Sequence, residues 1–170
     1  MLVFFDFDGT LSAPRFPKPG VPGACICGLS AESWRQYHEG KREHTFDFCL
    51  PVGPVRRFAM RLKEEGHRLF VLTRTASESE NLGKKAFLTR WYPGLFEEYL
   101  SVEHDREKIP VMRRKAEENG VKEEQLVLVE DTYSLVLEAL SQGMTGIHVS
   151  NIVAEEDMQQ GGDVMKVFFG

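Results

Sequence analysis

The sequence predicts an α/β protein, with a mostly parallel central sheet between two layers of helices. Three observations lead there. The run Leu2-Val3-Phe4-Phe5 is apolar at every position, the pattern of a strand buried on both faces of a parallel sheet. Runs of the same kind recur at 69–72 and 126–129. Between them lie stretches whose apolar residues repeat at helical spacing, and strands alternating with helices imply right-handed crossovers. The 170 residues suffice for one domain with a sizeable core and are too few for two ordinary ones.

The elements follow in order. The first strand runs into Asp6 and Asp8, and Gly9 breaks it, so both carboxylates sit at its C-terminal tip. Residues 12–50 are the least regular part. Pro14, Pro17, Pro19 and Pro22, with Gly20 and Gly23, exclude regular structure up to about Ala24. Ser30 opens a short helix that Gly40 interrupts, and 45–50 is a candidate small strand. A segment of this length reads as a flap or minimal cap inserted after the first strand. Residues 52–65 form an amphipathic helix with Val55, Phe58, Ala59 and Leu62 inward and Gly66 as its stop. A strand at 68–73 follows, then a helix at 77–92 stopped by Pro93-Gly94. A short strand at 99–102 precedes a helix at 106–119, which Gly120 ends. The strand at 125–129 runs into Glu130-Asp131, a helix spans 133–141, and a strand spans 146–149. A sixth strand is a candidate at 164–169.

Composition narrows the class. The chain is 42% hydrophobic and 28% charged, as a soluble globular protein is. A net charge of −5 argues against a broad nucleic-acid surface. No apolar run approaches the ~20 residues of a membrane span, and no signal peptide is expected ahead of the first strand. Three cysteines suit a reducing compartment without a disulfide framework, so the expected location is the cytoplasm.

A parallel sheet gathers the C-terminal tips of its strands at one edge, where open α/β sheets place their ligands. Asp6 and Asp8, Thr73, and Glu130 and Asp131 all occupy such tips, and Lys108 opens a helix whose start can reach them. Carboxylates so close together favour Mg²⁺, a hard cation with oxygen ligands. Mg²⁺ and Lys108 suit a phosphate dianion, and Thr73 offers it a hydroxyl and a backbone N–H. One carboxylate can attack phosphorus while a second protonates the leaving alcohol and then activates water.

Asp6-x-Asp8-Gly9-Thr10, Thr73 after a strand, Lys108, and Glu130-Asp131 after another strand resemble the four motifs of the haloacid dehalogenase (HAD) superfamily over residues 1–150. The resemblance implies a three-layer Rossmann-like α/β/α fold. It implies Asp6 as nucleophile, Asp8 as general acid/base, and Thr73 and Lys108 as phosphate binders. It also implies Asp131 as a Mg²⁺ ligand beside Asp6 and the backbone carbonyl of Asp8. An Asp at position 8 looks like the phosphatase branch. Many members carry a further acid a few residues after the fourth-motif Asp, where this chain has Ser134 and Leu135. Glu130 looks like the substitute, as a metal ligand or as a water anchor. The short 12–50 segment is similar to capless or minimally capped members. Thr73-Arg74-Thr75, the adjacent acids and the stretch 143–149 are similar to the magnesium-dependent phosphatase group, linked to phosphotyrosine and protein-bound sugar phosphates. The capless layout also resembles polynucleotide 3′-phosphatases.

Other residues admit two readings. Cys25 and Cys27, with His38, His44 and Cys49, could bind zinc, but the spacing is unusual and small buried cysteines are common. Trp34, Tyr37, His44 and Phe46 form either a substrate wall or the segment's own small core, and the core is favoured. Arg74 is a further phosphate contact; Arg15, Trp34, His44 and Tyr133 are candidates for the substrate rim. His104 and His148 read as structural. The leading function is Mg²⁺-dependent phosphomonoester hydrolysis through an aspartyl-phosphate. A phosphomutase would need a larger cap, and a catalytically silent phosphate-binding scaffold would not need both Asp6 and Asp8. Phosphoprotein, sugar phosphate and nucleotide substrates all stay open, with an open rim favouring a macromolecule.

Overall fold

A computed structural model describes residues 1–13, 16–17, 25–26, 46 and 49–159. Its centre is a five-stranded sheet built from β1 (Leu2–Phe5), β6 (Arg68–Arg74), β7 (Glu98–Val102), β8 (Leu126–Glu130) and β9 (Thr145–His148), in the order β7-β6-β1-β8-β9. Every pairing in it is parallel, with Val3 opposite both Leu69 and Val127. Because side chains alternate along a strand, the apolar runs feed two cores. Val3, Phe5, Leu69, Val71, Val127 and Val129 face one side, where they meet α1 (Gly53–Glu64), α2 (Glu78–Trp91) and α5 (Val149–Gln159). Leu2, Phe4, Phe70, Leu72, Leu126 and Leu128 face the other, against α3 (Lys108–Asn119) and α4 (Tyr133–Ser141). The result is the expected three-layer α/β/α fold.

Local signals place the helices. Pro54 sits in the first turn of α1, where its missing N–H is harmless, and Gly66 turns the chain out at φ 82°. The Ser77 hydroxyl caps α2 by accepting from the Glu80 N–H. Gly120 closes α3 in the left-handed conformation. No helix among the described residues is long and apolar enough to cross a membrane.

Two sequence expectations need correcting. The proline-rich stretch before Ala24 does contain regular structure, since β3 (Phe16–Pro17) pairs antiparallel with β4 (Cys25–Ile26). Proline is tolerated in a two-stranded ladder, where one N–H faces no partner. The chain also enters α5 directly at Val149, where a strand residue was expected. Among the described side chains of that helix only Ile152 is buried, so no apolar stripe announces it there, and packing against α1 sustains it. The ends of the stretch between β1 and α1 are tied together by β2 (Ser12–Ala13) and β5 (Leu50–Pro51), which pair antiparallel. The short helix expected from Ser30, Arg15, Trp34, Tyr37, His38, His44, Cys27 and the candidate strand at 164–169 lie outside the described residues. Cys49 is buried.

Candidate active site

The strand order reverses at β1: the chain goes on to β6 on one side, then crosses to β8 on the other. Such a switch point opens a crevice at the C-terminal ends of the two strands. The ladder continues one residue beyond β1, because the Asp6 N–H donates to the Val129 carbonyl at 2.9 Å. Asp6 is thereby fixed between strands, only 5% exposed. The chain then folds back in a tight loop in which Leu11 and Ser12 both donate to the Phe7 carbonyl. Gly9 makes the turn at φ 75°, a conformation that side chains resist. This loop swings Asp8 to the mouth of the crevice, where its side chain is 60% exposed. Thr73 is the last residue but one of β6 and Glu130 ends β8, both buried.

Two buried lysines reach these tips from opposite helical layers. Lys108, the first residue of α3, places its ammonium 2.8 Å from Asp6 Oδ1 and 2.7 Å from Glu130 Oε2. A 3₁₀ turn at Asp105–Glu107 delivers it there, with the Glu107 carboxylate accepting from the N–H groups of Glu103 and His104. Lys84, in the middle of α2, donates to Asp8 Oδ2 at 2.6 Å, to the Arg74 carbonyl at 2.7 Å and to Thr73 Oγ1 at 3.0 Å. Its ammonium lies over the rings of Phe7 and Phe46. The Phe46 ring in turn occupies the space a side chain at Gly83 would fill.

Burial sets the electrostatics. Asp6 is pushed up to about 7, chiefly by desolvation; the Glu130 and Asp8 charges add to this and Lys108 opposes it. Glu130 and Asp131 are raised for the same first reason. Burial alone would lower the Lys108 ammonium, but the charges of Asp6 and Glu130 outweigh it and hold Lys108 above its ordinary value. Asp6, Glu130 and Asp131 each bring one carboxylate oxygen within 4.8 Å of the others. His148 steadies this group by bonding the Asp131 carbonyl through Nε2 at 2.8 Å.

A cleft of about 450 Å³ joins Asp6, Asp8, Thr73, Arg74, Lys108, Glu130 and Asp131, so the four sequence motifs do converge. Arg74 stands at its edge, 3.7 Å from Asp105. Tyr133 is exposed and lies edge-on to His148, outside the cleft lining. Phe46 packs edge-on against Phe7 inside the core, which supports the core reading of that residue. The sequence reading missed Lys84. The signal was present: Lys84, Phe87, Leu88 and Trp91 share one helical face, so a lysine occupies a buried stripe. It also missed the tie between His148 and Asp131, which links residues on neighbouring strand tips.

No family model matches the sequence, and no curated protein sequence matches it. Solved structures do match its fold. A predicted phosphoglycolate phosphatase of Haemophilus somnus superposes with a TM-score of 0.59 at 17% identity, over 87% of each chain. A proposed haloacid dehalogenase-like hydrolase of Bacteroides fragilis gives 0.57 at 15% identity, over 85% of each chain. A proposed phosphoglycolate phosphatase of Lactobacillus delbrueckii gives 0.51 at 16% identity, over 71% of this chain and 51% of the other. The chain thus spans about half the length of that last protein. With its strand order and its buried aspartate at the switch point, the chain has the fold of the haloacid dehalogenase-like hydrolases.

Proposed function

We propose that the chain is a Mg²⁺-dependent phosphomonoester hydrolase that forms an aspartyl-phosphate on Asp6. One observation carries this reading. A buried carboxylate, Asp6, sits at the switch point with Lys108 on one oxygen, and a second carboxylate, Asp8, stands two residues on at the open mouth.

The donors fit a hard divalent cation. Asp6, Glu130 and Asp131 offer only oxygen, and acids outnumber bases in the cleft lining. Desolvation makes each of these carboxylates hard to ionise unless a cation joins them. Mg²⁺ held there would act as a Lewis acid toward the phosphoryl oxygens.

The chain's own residues then divide the work. Lys108 occupies Asp6 Oδ1, which leaves Oδ2 to attack phosphorus. As the new P–O bond forms, the bond to the leaving oxygen breaks and its electron pair stays on that oxygen. Asp8 gives a proton to the departing alcohol. In the second half Asp8 takes a proton from water, the water oxygen attacks phosphorus, and Asp6 is released with inorganic phosphate. Lys108 and Thr73 line the cleft beside Asp6, where the phosphoryl group would sit, and Arg74 at the rim is placed to meet a more distant part of the substrate. Glu130 accepts from Lys108 and from the Thr132 N–H, so it also orients Lys108. Its cysteine content suits work in a reducing compartment such as the cytoplasm.

The test is phosphate release from p-nitrophenyl phosphate with Mg²⁺. The expected result is turnover abolished by EDTA and by Asp6→Asn. A purified, folded protein inert toward a broad panel of phosphate esters would overturn the reading.

A further inference from the structure

Lys84 has no part in the mechanism above, yet it is the most enclosed charged side chain at the site. It is fully buried, its residue exposure being 0%. Confining a lysine side chain there gives up rotamer freedom, and stripping the ammonium of water is expensive unless every N–H finds an acceptor. An ammonium has three donors. Asp8 Oδ2, the Arg74 carbonyl, Thr73 Oγ1 and Glu80 Oε1 lie at 2.6, 2.7, 3.0 and 3.0 Å. The shortest of these contacts goes to Asp8, whose side chain otherwise faces solvent.

This geometry has two consequences for Asp8. A carboxylate on a solvent-facing loop samples several rotamers, and a fixed donor on Oδ2 selects one. Oδ1 is then the oxygen left to face the leaving group. In addition, negative charge develops on Asp8 as its proton departs, and a cation already in place there stabilises that charge without reorganising. The Arg74 carbonyl, Thr73 Oγ1 and Glu80 Oε1 already match the three N–H donors in number, so the contact with Asp8 is not required to satisfy a lysine that only fills the core.

We infer that Lys84 is a positioning residue for Asp8, acting in the step where the leaving alcohol is protonated. The inference rests on the phosphatase reading and adds to it a residue from α2. It commits to a particular pattern of loss. An acidic leaving group such as p-nitrophenol departs with little help, whereas an aliphatic alcohol needs its proton. Removing Lys84 therefore hurts esters of basic alcohols most.

The experiment measures kcat/KM for p-nitrophenyl phosphate, phenyl phosphate and glycerol 2-phosphate with wild type, Lys84→Met and Lys84→Gln. The parameter kcat/KM reports the steps through transfer to Asp6, so it carries the leaving-group response. Lys84→Met should lower kcat/KM for glycerol 2-phosphate about thirtyfold more than for p-nitrophenyl phosphate, within the range that general acid catalysis supplies. Lys84→Gln keeps a donor without the charge, and should fall between wild type and Lys84→Met. In an Asp8→Asn background the further loss on removing Lys84 should no longer depend on the leaving group. Lys84→Gln also serves if Lys84→Met does not fold, as judged by circular dichroism. Equal losses across the three esters in the folded variant would mean a merely structural lysine and overturn the inference. A wild type inert toward all three would overturn the phosphatase reading itself, and the inference with it.

Discussion

A β-carbon on Gly9 would stand 2.1 Å from Oδ2 of Asp131. The turn after β1 and the tip of β8 therefore meet with no room between them. Gly9 also holds φ 75°, where an alanine is strained by roughly 1–2 kcal/mol. Gly9→Ala should lower the melting temperature modestly, and it should push the Asp131 carboxylate out of its group with Asp6 and Glu130. The expected signature is a loss of Mg²⁺ affinity of about tenfold or more, read by titrating activity and thermal shift against Mg²⁺. A variant with lowered stability and unchanged Mg²⁺ affinity would show that Asp131 adapts.

Asp6→Asn replaces the proposed nucleophile with an amide of the same size. The expected kcat falls by at least about a thousandfold. Retention of a tenth of wild-type kcat would exclude covalent catalysis at Asp6. Acid-quenched wild type mixed with a labelled substrate should carry phosphate on Asp6, detectable by mass spectrometry.

Glu130 and Asp131 are adjacent acids with different surroundings. Glu130 is buried and bonded to Lys108 and the Thr132 N–H, whereas Asp131 is exposed and its Oδ1 accepts only a long contact of 3.5 Å from the Thr132 hydroxyl. Asp131→Ala should raise the Mg²⁺ concentration needed for half-maximal activity far more than Glu130→Gln does. Glu130→Gln should instead lower stability, because Lys108 loses a charged partner in a buried place, a change of about 3 kcal/mol in comparable pairs. Equal shifts in Mg²⁺ requirement would make Glu130 a ligand on the same footing as Asp131.

The raised Asp6 carboxyl has a pH consequence. Unfolded, Asp6 titrates near 3.8; in the native site it titrates near 7. Between those values the native state binds more protons than the unfolded one, so this group's contribution falls as pH rises through the window. Metal-free protein should therefore lose melting temperature from pH 5 to pH 8, and Asp6→Asn should flatten that slope. Mg²⁺ competes with the proton, so its stabilising effect should grow over the same range. A thermal-shift series with and without Mg²⁺ checks both signs.

The sheet was legible because its strands are buried on both faces: 2–5, 69–72 and 126–129 carry no polar residue to blur the pattern. Asp6, Asp8, Thr73 and Asp131 were legible because strand tips are marked by where apolar runs stop, and Lys108 because it opens a helix beside them. Lys84 was not, because its partners Asp8, Thr73 and Arg74 come from the loop after β1 and from β6, and nothing local to α2 points at Asp8. Helix α5 was hidden for a related reason. Val149, Ile152 and Val153 are β-branched and favour extended chain, and contact with α1 overrides that preference. The pairing at Phe16–Pro17 was hidden because proline content forbids long strands and says little about two-residue ones.

Phe46 belongs to the stretch between β2 and β5, yet its ring lies against Phe7, over the Lys84 ammonium, and against the bare backbone of Gly83. Through Phe46 that stretch is thus a structural partner of the chemistry and not an appendage hung on a finished sheet and its helices. Exchanging it for the insertion of another protein would transplant specificity only if the donor also supplied a ring at that place. A chimera lacking one would open a water-filled gap beside a charged group that the native chain keeps dry. Insertion and α2 should therefore be moved as a single block when the scaffold is re-engineered, with Gly83 and Phe46 treated as one unit of exchange.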